Sequence, residues 1–192
     1  MKNLIVLHSL NGDTLEFWGK HLKETFGEKT EVVMPKFPIR AESTYLKFEE
    51  IMLQLLKDGT LNKESIVVAH SIGNAYFVRF AAKHWFTPKH YVAVAPGAVY
   101  EYPSTRNDYI VEVKKQSILK PEELEHIKAN FDSVTCLFSD EDDGNSEKFS
   151  RFVEDTGAES VYLKGYNHFD GYHRIYMIPE LEELLEKKLK ED

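Results

Sequence analysis

The sequence predicts an α/β fold: a three-layer α/β/α sandwich around a mostly parallel sheet of roughly six strands. Three observations lead there. Short runs of branched apolar residues recur along the 192-residue chain, each too short for a helix and continuous, as in strands covered on both faces. Between them lie longer segments whose apolar positions fall at helical spacing. The two kinds alternate, which implies right-handed crossovers and parallel strands.

The elements follow in order. Asn3 to His8 (NLIVLH) reads as the first strand, and Thr14 to Phe26 as a helix with Leu15, Trp18, Leu22 and Phe26 on one face. TEVVMP is a second short strand stopped by Pro35. Tyr45, Phe48, Met52, Leu55 and Leu56 form the stripe of the next helix. SIVVA (Ser65 to Ala69) is the third strand, Ile72 to Lys83 a helix, and HYVAVA (His90 to Ala95) the fourth strand. Pro121 with Glu122 and Glu123 opens a helix, because proline fits a first turn and carboxylates favour the helix dipole there. SVTCLFS is the fifth strand, Ser146 to Thr156 a helix, SVYLK the sixth strand, and Pro179 to Lys190 a closing amphipathic helix. Residues 97–119, with Tyr100, Tyr102 and Tyr109 at no firm period, read as a short cap or loop excursion over the carboxyl edge, where open α/β sheets bind ligands.

Length points to one domain spanning residues 1–192, with no repeat or low-complexity linker. No apolar run reaches the roughly 18 residues that a bilayer span needs, so no membrane partner is expected. The opening lacks the pattern of a secretory signal, and a cytoplasmic setting is expected. A net charge of -8 argues against a nucleic-acid surface. Cys136 is the sole cysteine, which excludes an intrachain disulfide, and its place inside VTCLF predicts a buried, inert thiol.

The chemistry is suggested by AHSIG, residues Ala69 to Gly73, where the third strand turns into a helix. A serine at such an elbow exposes its hydroxyl, and the next backbone N–H, that of Ile72, faces a developing oxyanion. Small residues two before and two after keep side chains out of the crowded turn, and Ala69 stands where glycine is usual. The hydroxyl needs a histidine base, itself oriented by a carboxylate. LFSDEDDGN sets Asp140, Asp142 and Asp143 directly after the fifth strand, and LKGYNHFDGYH sets His168 after the sixth. All fall at the edge where Ser71 lies.

With these motifs in place, the sequence resembles the small single-domain α/β-hydrolases typified by retinoblastoma-binding protein nine and its bacterial serine-hydrolase relatives. The resemblance runs through LIVLHSLNG, FWGKHL, MPKFP, IVVAHSIGN, KPEELEHIKANF, FSDEDD and YNHF. It implies Ser71 as nucleophile, His168 as general base and Asp142 as orienting acid, with Ser139 three residues before that acid as the family usually has it. The acid loop departs from the family by continuing into Asp143-Gly144-Asn145-Ser146, so Asp140 and Asp143 stay open as alternatives. The first-strand loop reads His8-Ser9-Leu10, where His-Gly or Pro-Gly is common, and the second oxyanion donor is Ser9 or Leu10. The implied activity is hydrolysis of small carboxylic esters through an acyl-enzyme, with no metal or cofactor. The alternative is an interaction protein that keeps the hydrolase fold with little or no turnover.

Other residues have plainer readings. His70 and His8 are expected to support the turn and the pocket floor, and His21, His84, His90 and His126 to be solvated. His168, Asp170 and His173 match no structural zinc spacing, and the aspartate loop has its glycine misplaced relative to Asp140 and no twelfth-position glutamate, unlike a calcium loop.

Overall fold

The structure, a computed structural model, describes residues 2–10, 12–38, 44–100, 115–142 and 146–191. Six strands, β1 (Asn3–Leu7), β2 (Glu31–Val33), β3 (Ile66–His70), β4 (His90–Val94), β5 (Val134–Ser139) and β6 (Glu159–Leu163), form one sheet in the order β2-β1-β3-β4-β5-β6. Every pair is parallel, and Ala69 sits in register between Leu7 of β1 and Ala93 of β4. The main helices are α1 (Trp18–Phe26), α2 (Thr44–Lys57), α3 (Ile72–His84), α4 (Pro121–Asn130), α5 (Ser146–Thr156) and α6 (Pro179–Lys190).

Successive strand residues point to opposite faces, and each face is covered. Ile5, Leu7, Val67, Tyr91 and Cys136 meet Phe48, Met52, Phe77 and Phe80 of α2 and α3 on one side. Leu4, Val6, Val68, Val92 and Leu137 meet Trp18, Leu22, Leu181 and Leu185 of α1 and α6 on the other. The Cys136 thiol is fully buried, which pushes its pKa up and leaves it a packing residue. Among the described residues no helix is long and apolar enough to cross a membrane.

The structure corrects two expectations. The helix read from Thr14 is broken: a 3-10 turn at Asp13–Leu15 is followed by Phe17 at φ -108, ψ -117, and α1 begins only at Trp18. The cause is tertiary, since the Thr14 hydroxyl accepts the Ser9 N–H and contacts His70. His90 and His126, expected to be solvated, are buried: His90 lies beneath Lys188 and Glu191, and His126 packs edge-on against Trp85 and Phe131. Within 97–119, Tyr100 is packed: its hydroxyl donates to Asp155 at 2.8 Å and the Arg151 guanidinium covers its ring. Tyr102, Tyr109 and the rest of 101–114 lie outside the described residues.

Helix α3 leaves the sheet close against β1. A Cβ added to Gly73 would stand 2.8 Å from the His8 carbonyl oxygen and 3.1 Å from that of Leu7, both backbone atoms with little room to move. Gly73→Ala is therefore expected to cost about 1–3 kcal/mol in urea unfolding, as overpacking does. An unchanged unfolding midpoint would show that α3 can shift away at no cost.

Candidate active site

Strand order reverses between β1 and β3, because β2 continues on one side and β4 on the other. Connections leave such a switch point in opposite directions and open a crevice at the carboxyl ends. Ser71 follows β3 there and His8-Ser9-Leu10 follow β1.

Ser71 has φ 52 and ψ -119, a conformation that costs a non-glycine residue roughly 1–3 kcal/mol unless its surroundings hold it. They do so through buried polar groups. The Ser71 N–H donates to the Val94 carbonyl at 3.0 Å. Asn74, in the first turn of α3, donates to the Ser71 carbonyl at 3.1 Å and to that of Val94 at 2.9 Å, and the Tyr91 hydroxyl donates to Asn74 Oδ1 at 2.8 Å. Asn74 and Tyr91 are fully buried, so this network is shielded from competing water.

The loop after β6 brings His168 to the serine. Its Nε2 lies 2.9 Å from Ser71 Oγ, and its Nδ1 lies 3.0 Å from Asp142 Oδ2. A carboxylate can only accept, so Nδ1 carries a proton and the neutral ring presents the Nε2 lone pair to the serine hydroxyl. Burial disfavours the charged ring, but the hydrogen bond and charge of Asp142, with the charge of Asp170, outweigh it and raise the His168 pKa above its ordinary 6.5.

Asp140 does a different job. Its Oδ1 accepts the Gly165 N–H at 3.0 Å, while Ser139 Oγ accepts the Tyr166 N–H at 3.1 Å. Both tie the loop after β5 to the loop that carries His168. Asp143 lies outside the described residues. Asp170 pairs with His173 at 2.6 Å, and among the described residues no group of three histidine, cysteine, aspartate or glutamate side chains could hold a metal ion.

At the other side of the crevice, His8 stacks on Phe37, its Nδ1 donates to the Ser9 carbonyl at 2.7 Å, and its Nε2 accepts the Phe37 N–H at 3.2 Å. The Ser9 carbonyl also accepts the Gly12 N–H at 3.0 Å. In a trans peptide the N–H points opposite the C=O, so these two bonds fix the direction of the Leu10 N–H. The Ser9 N–H donates to Thr14 Oγ1 at 3.3 Å.

Thr14, Asn74 and Tyr91 were not singled out from the sequence. A polar Asn74 directly after AHSIG and ahead of the apolar run AYFV is the one signal that marked any of them.

No protein-family model matches the chain, and no curated protein matches it in sequence. Solved structures do. The ydeN gene product of B. subtilis superposes with a TM-score of 0.81 at 14% identity, covering 100% of both chains. Est1E from Butyrivibrio proteoclasticus, with ferulic acid bound, gives 0.75 at 13% identity over 100% of this chain and 90% of its own. A carboxylesterase of the thaumarchaeon Nitrososphaera gargenis gives 0.71 at 13% identity over 98% and 89%. With its six-stranded parallel sheet flanked by helices, the chain thus has the α/β-hydrolase fold.

Proposed function

We propose that this chain is a single-domain serine hydrolase of the retinoblastoma-binding protein nine-like kind, cleaving small carboxylic esters with Ser71, His168 and Asp142. The observation that carries the reading is the continuous contact from Ser71 Oγ to His168 Nε2 at 2.9 Å and from His168 Nδ1 to Asp142 at 3.0 Å. That is the arrangement in which a hydroxyl, a base and an orienting acid act as one unit. The fold shared with a Nitrososphaera gargenis carboxylesterase and with Est1E, which binds ferulic acid, supports an ester as substrate.

In the proposed reaction Ser71 Oγ bonds to the ester carbonyl carbon as its proton passes to His168 Nε2. The carbonyl oxygen, now an anion, is held by the Ile72 N–H, which as the first residue of α3 has no intrahelical partner. We assign the second donor to Leu10, because the Ser9 N–H is committed to Thr14. One such donor is worth about 2.7–4 kcal/mol of transition-state stabilisation. His168 returns the proton to the leaving alkoxide, and the alcohol departs. It then takes a proton from water, whose oxygen attacks the acyl carbon, and the same proton goes back to Ser71 as the acid is released.

A fluorophosphonate probe and p-nitrophenyl acetate test the reading directly. The folded wild type is expected to be labelled at Ser71 and to turn the ester over. A folded wild type that does neither would overturn it in favour of an interaction protein on a hydrolase fold.

A further inference from the structure

Beneath the site runs a chain of hydrogen bonds that the reaction steps leave unused. His70 is fully buried beside the nucleophile. Its Nε2 lies 2.7 Å from the His168 carbonyl oxygen and its Nδ1 2.7 Å from Thr14 Oγ1, which in turn accepts the Ser9 N–H at 3.3 Å. Chemistry sets the direction of each bond. A carbonyl can only accept, so Nε2 carries the hydrogen; the Nδ1 lone pair then takes the Thr14 hydroxyl proton, and the hydroxyl oxygen is free to accept from Ser9.

We propose that His70 is a positioning residue for the hydrolytic reaction, holding the backbone of His168 through Nε2–H and the Ser9-Leu10 loop through Thr14. The proposal rests on the serine-hydrolase reading. Three features support it.

The first is strain. His168 stands between Asn167 at φ 48 and Phe169 at φ 55, both in the left-handed region that non-glycine residues avoid. Such a loop keeps its shape only if outside bonds hold it, and the His70 bond falls on the residue between the two. Its neighbours are the Phe169 N–H to the Tyr166 carbonyl at 2.8 Å and the Trp18 indole N–H to the Phe169 carbonyl at 2.9 Å.

The second is the span of the chain. Thr14 fixes the peptide before Ser9, while His8 and Gly12 fix the peptide after it, the one that carries the Leu10 N–H. One imidazole thereby links the loop of the base to the loop of the oxyanion donor, across the strand that bears the nucleophile.

The third is charge. During turnover His168 becomes an imidazolium, and the His70 ring lies 5.3 Å from it. A second cation there would oppose proton transfer. Burial, then the charge of His168, lower the His70 pKa to about 3 against the smaller opposing effects of the hydrogen bond to the His168 carbonyl and the charge of Asp170, with His8 also lowering it. His70 therefore stays neutral while His168 cycles.

The test uses pairs of variants of the full chain. Thr14→Val keeps the shape and removes the hydroxyl; it is expected to lower kcat on p-nitrophenyl acetate by about 10- to 100-fold with KM nearly unchanged. Thr14→Ser should restore most of that loss. His70→Gln, which can still donate towards the His168 carbonyl, should retain more activity than His70→Leu. Combining Thr14→Val with His70→Gln should cost no more than the worse single change, because groups in one chain are not additive. Imidazole ¹⁵N spectra should show His70 as the Nε2–H tautomer from about pH 5 to about pH 8. Wild-type kcat in Thr14→Val, additive losses, or titration of His70 in that range would each overturn the proposal. A labelled wild type with an indifferent Thr14→Val sinks the positioning role alone; an unlabelled wild type sinks the hydrolase reading first.

Discussion

Replacing Ser71 with alanine is expected to abolish fluorophosphonate labelling and to lower kcat on p-nitrophenyl acetate by about 10,000-fold or more. His168→Ala should do the same to turnover. The magnitude follows from the way the groups depend on each other. Without His168 the Ser71 proton has nowhere to go, and without Ser71 the imidazole has no nucleophile to activate. The double variant should accordingly be no worse than either single one. Neither change should unfold the chain. Ser71→Ala deletes one hydroxyl and leaves in place the Asn74 and Tyr91 bonds that hold the turn, all made to backbone atoms of Ser71 and Val94 or between the two side chains. Circular dichroism matching the wild type, with activity retained in Ser71→Ala, would remove this serine from the mechanism.

The second large effect concerns the acid. Asp142→Asn is expected to reduce kcat by about 1,000- to 10,000-fold, since an amide can donate to Nδ1 and leave the ring with its proton on the wrong nitrogen. The pH profile adds an independent sign. In the wild type, burial disfavours the His168 cation, but Asp142 more than compensates and the pKa is raised. The base is active only when neutral, so activity rises with pH through a midpoint above 6.5. In Asp142→Asn the burial stays and the charge goes, so that midpoint must move to lower pH while the plateau falls. Asp140→Asn should leave the midpoint in place, because Asp140 bonds to Gly165 and not to the imidazole. A larger loss in Asp140→Asn, or a midpoint that shifts only there, would transfer the role to Asp140.

Much of the frame was legible in the chain because a parallel sheet covered on both faces writes itself as unbroken apolar runs. NLIVL, IVVAH and HYVAV are buried along their whole length and could hardly be read otherwise. β6 was legible only from its place in the alternation, since most of its residues are partly or fully exposed at the sheet's rim. Sequence reading failed where distant parts of the chain decide. Apolar spacing carried the first helix back to Thr14, but the Thr14 hydroxyl is claimed by His70, 56 residues on. His90 looked like a surface histidine until α6 brought Lys188 and Glu191 over it. The choice among aspartates had the same cause: Asp140 and Asp142 are two residues apart in one loop, and only the path of the backbone decides which reaches His168. Spacing says that an acid is near, and loop geometry says which one.

The all-parallel sheet has a consequence for how this chain reaches its working state. Each strand pair must be closed by a whole crossover before it gains any ladder bond, and such long-range closures are slow. The contacts at Ser71 come late in that order: His168 reaches it across 97 residues of chain, and His70 meets the His168 carbonyl across 98. Helices can form, and β1 and β3 can pair, while the serine still has no base. On the proposed mechanism, reactivity is therefore a property of the finished fold alone, and a polypeptide still emerging or partly melted at its β6 end carries a harmless hydroxyl at the elbow.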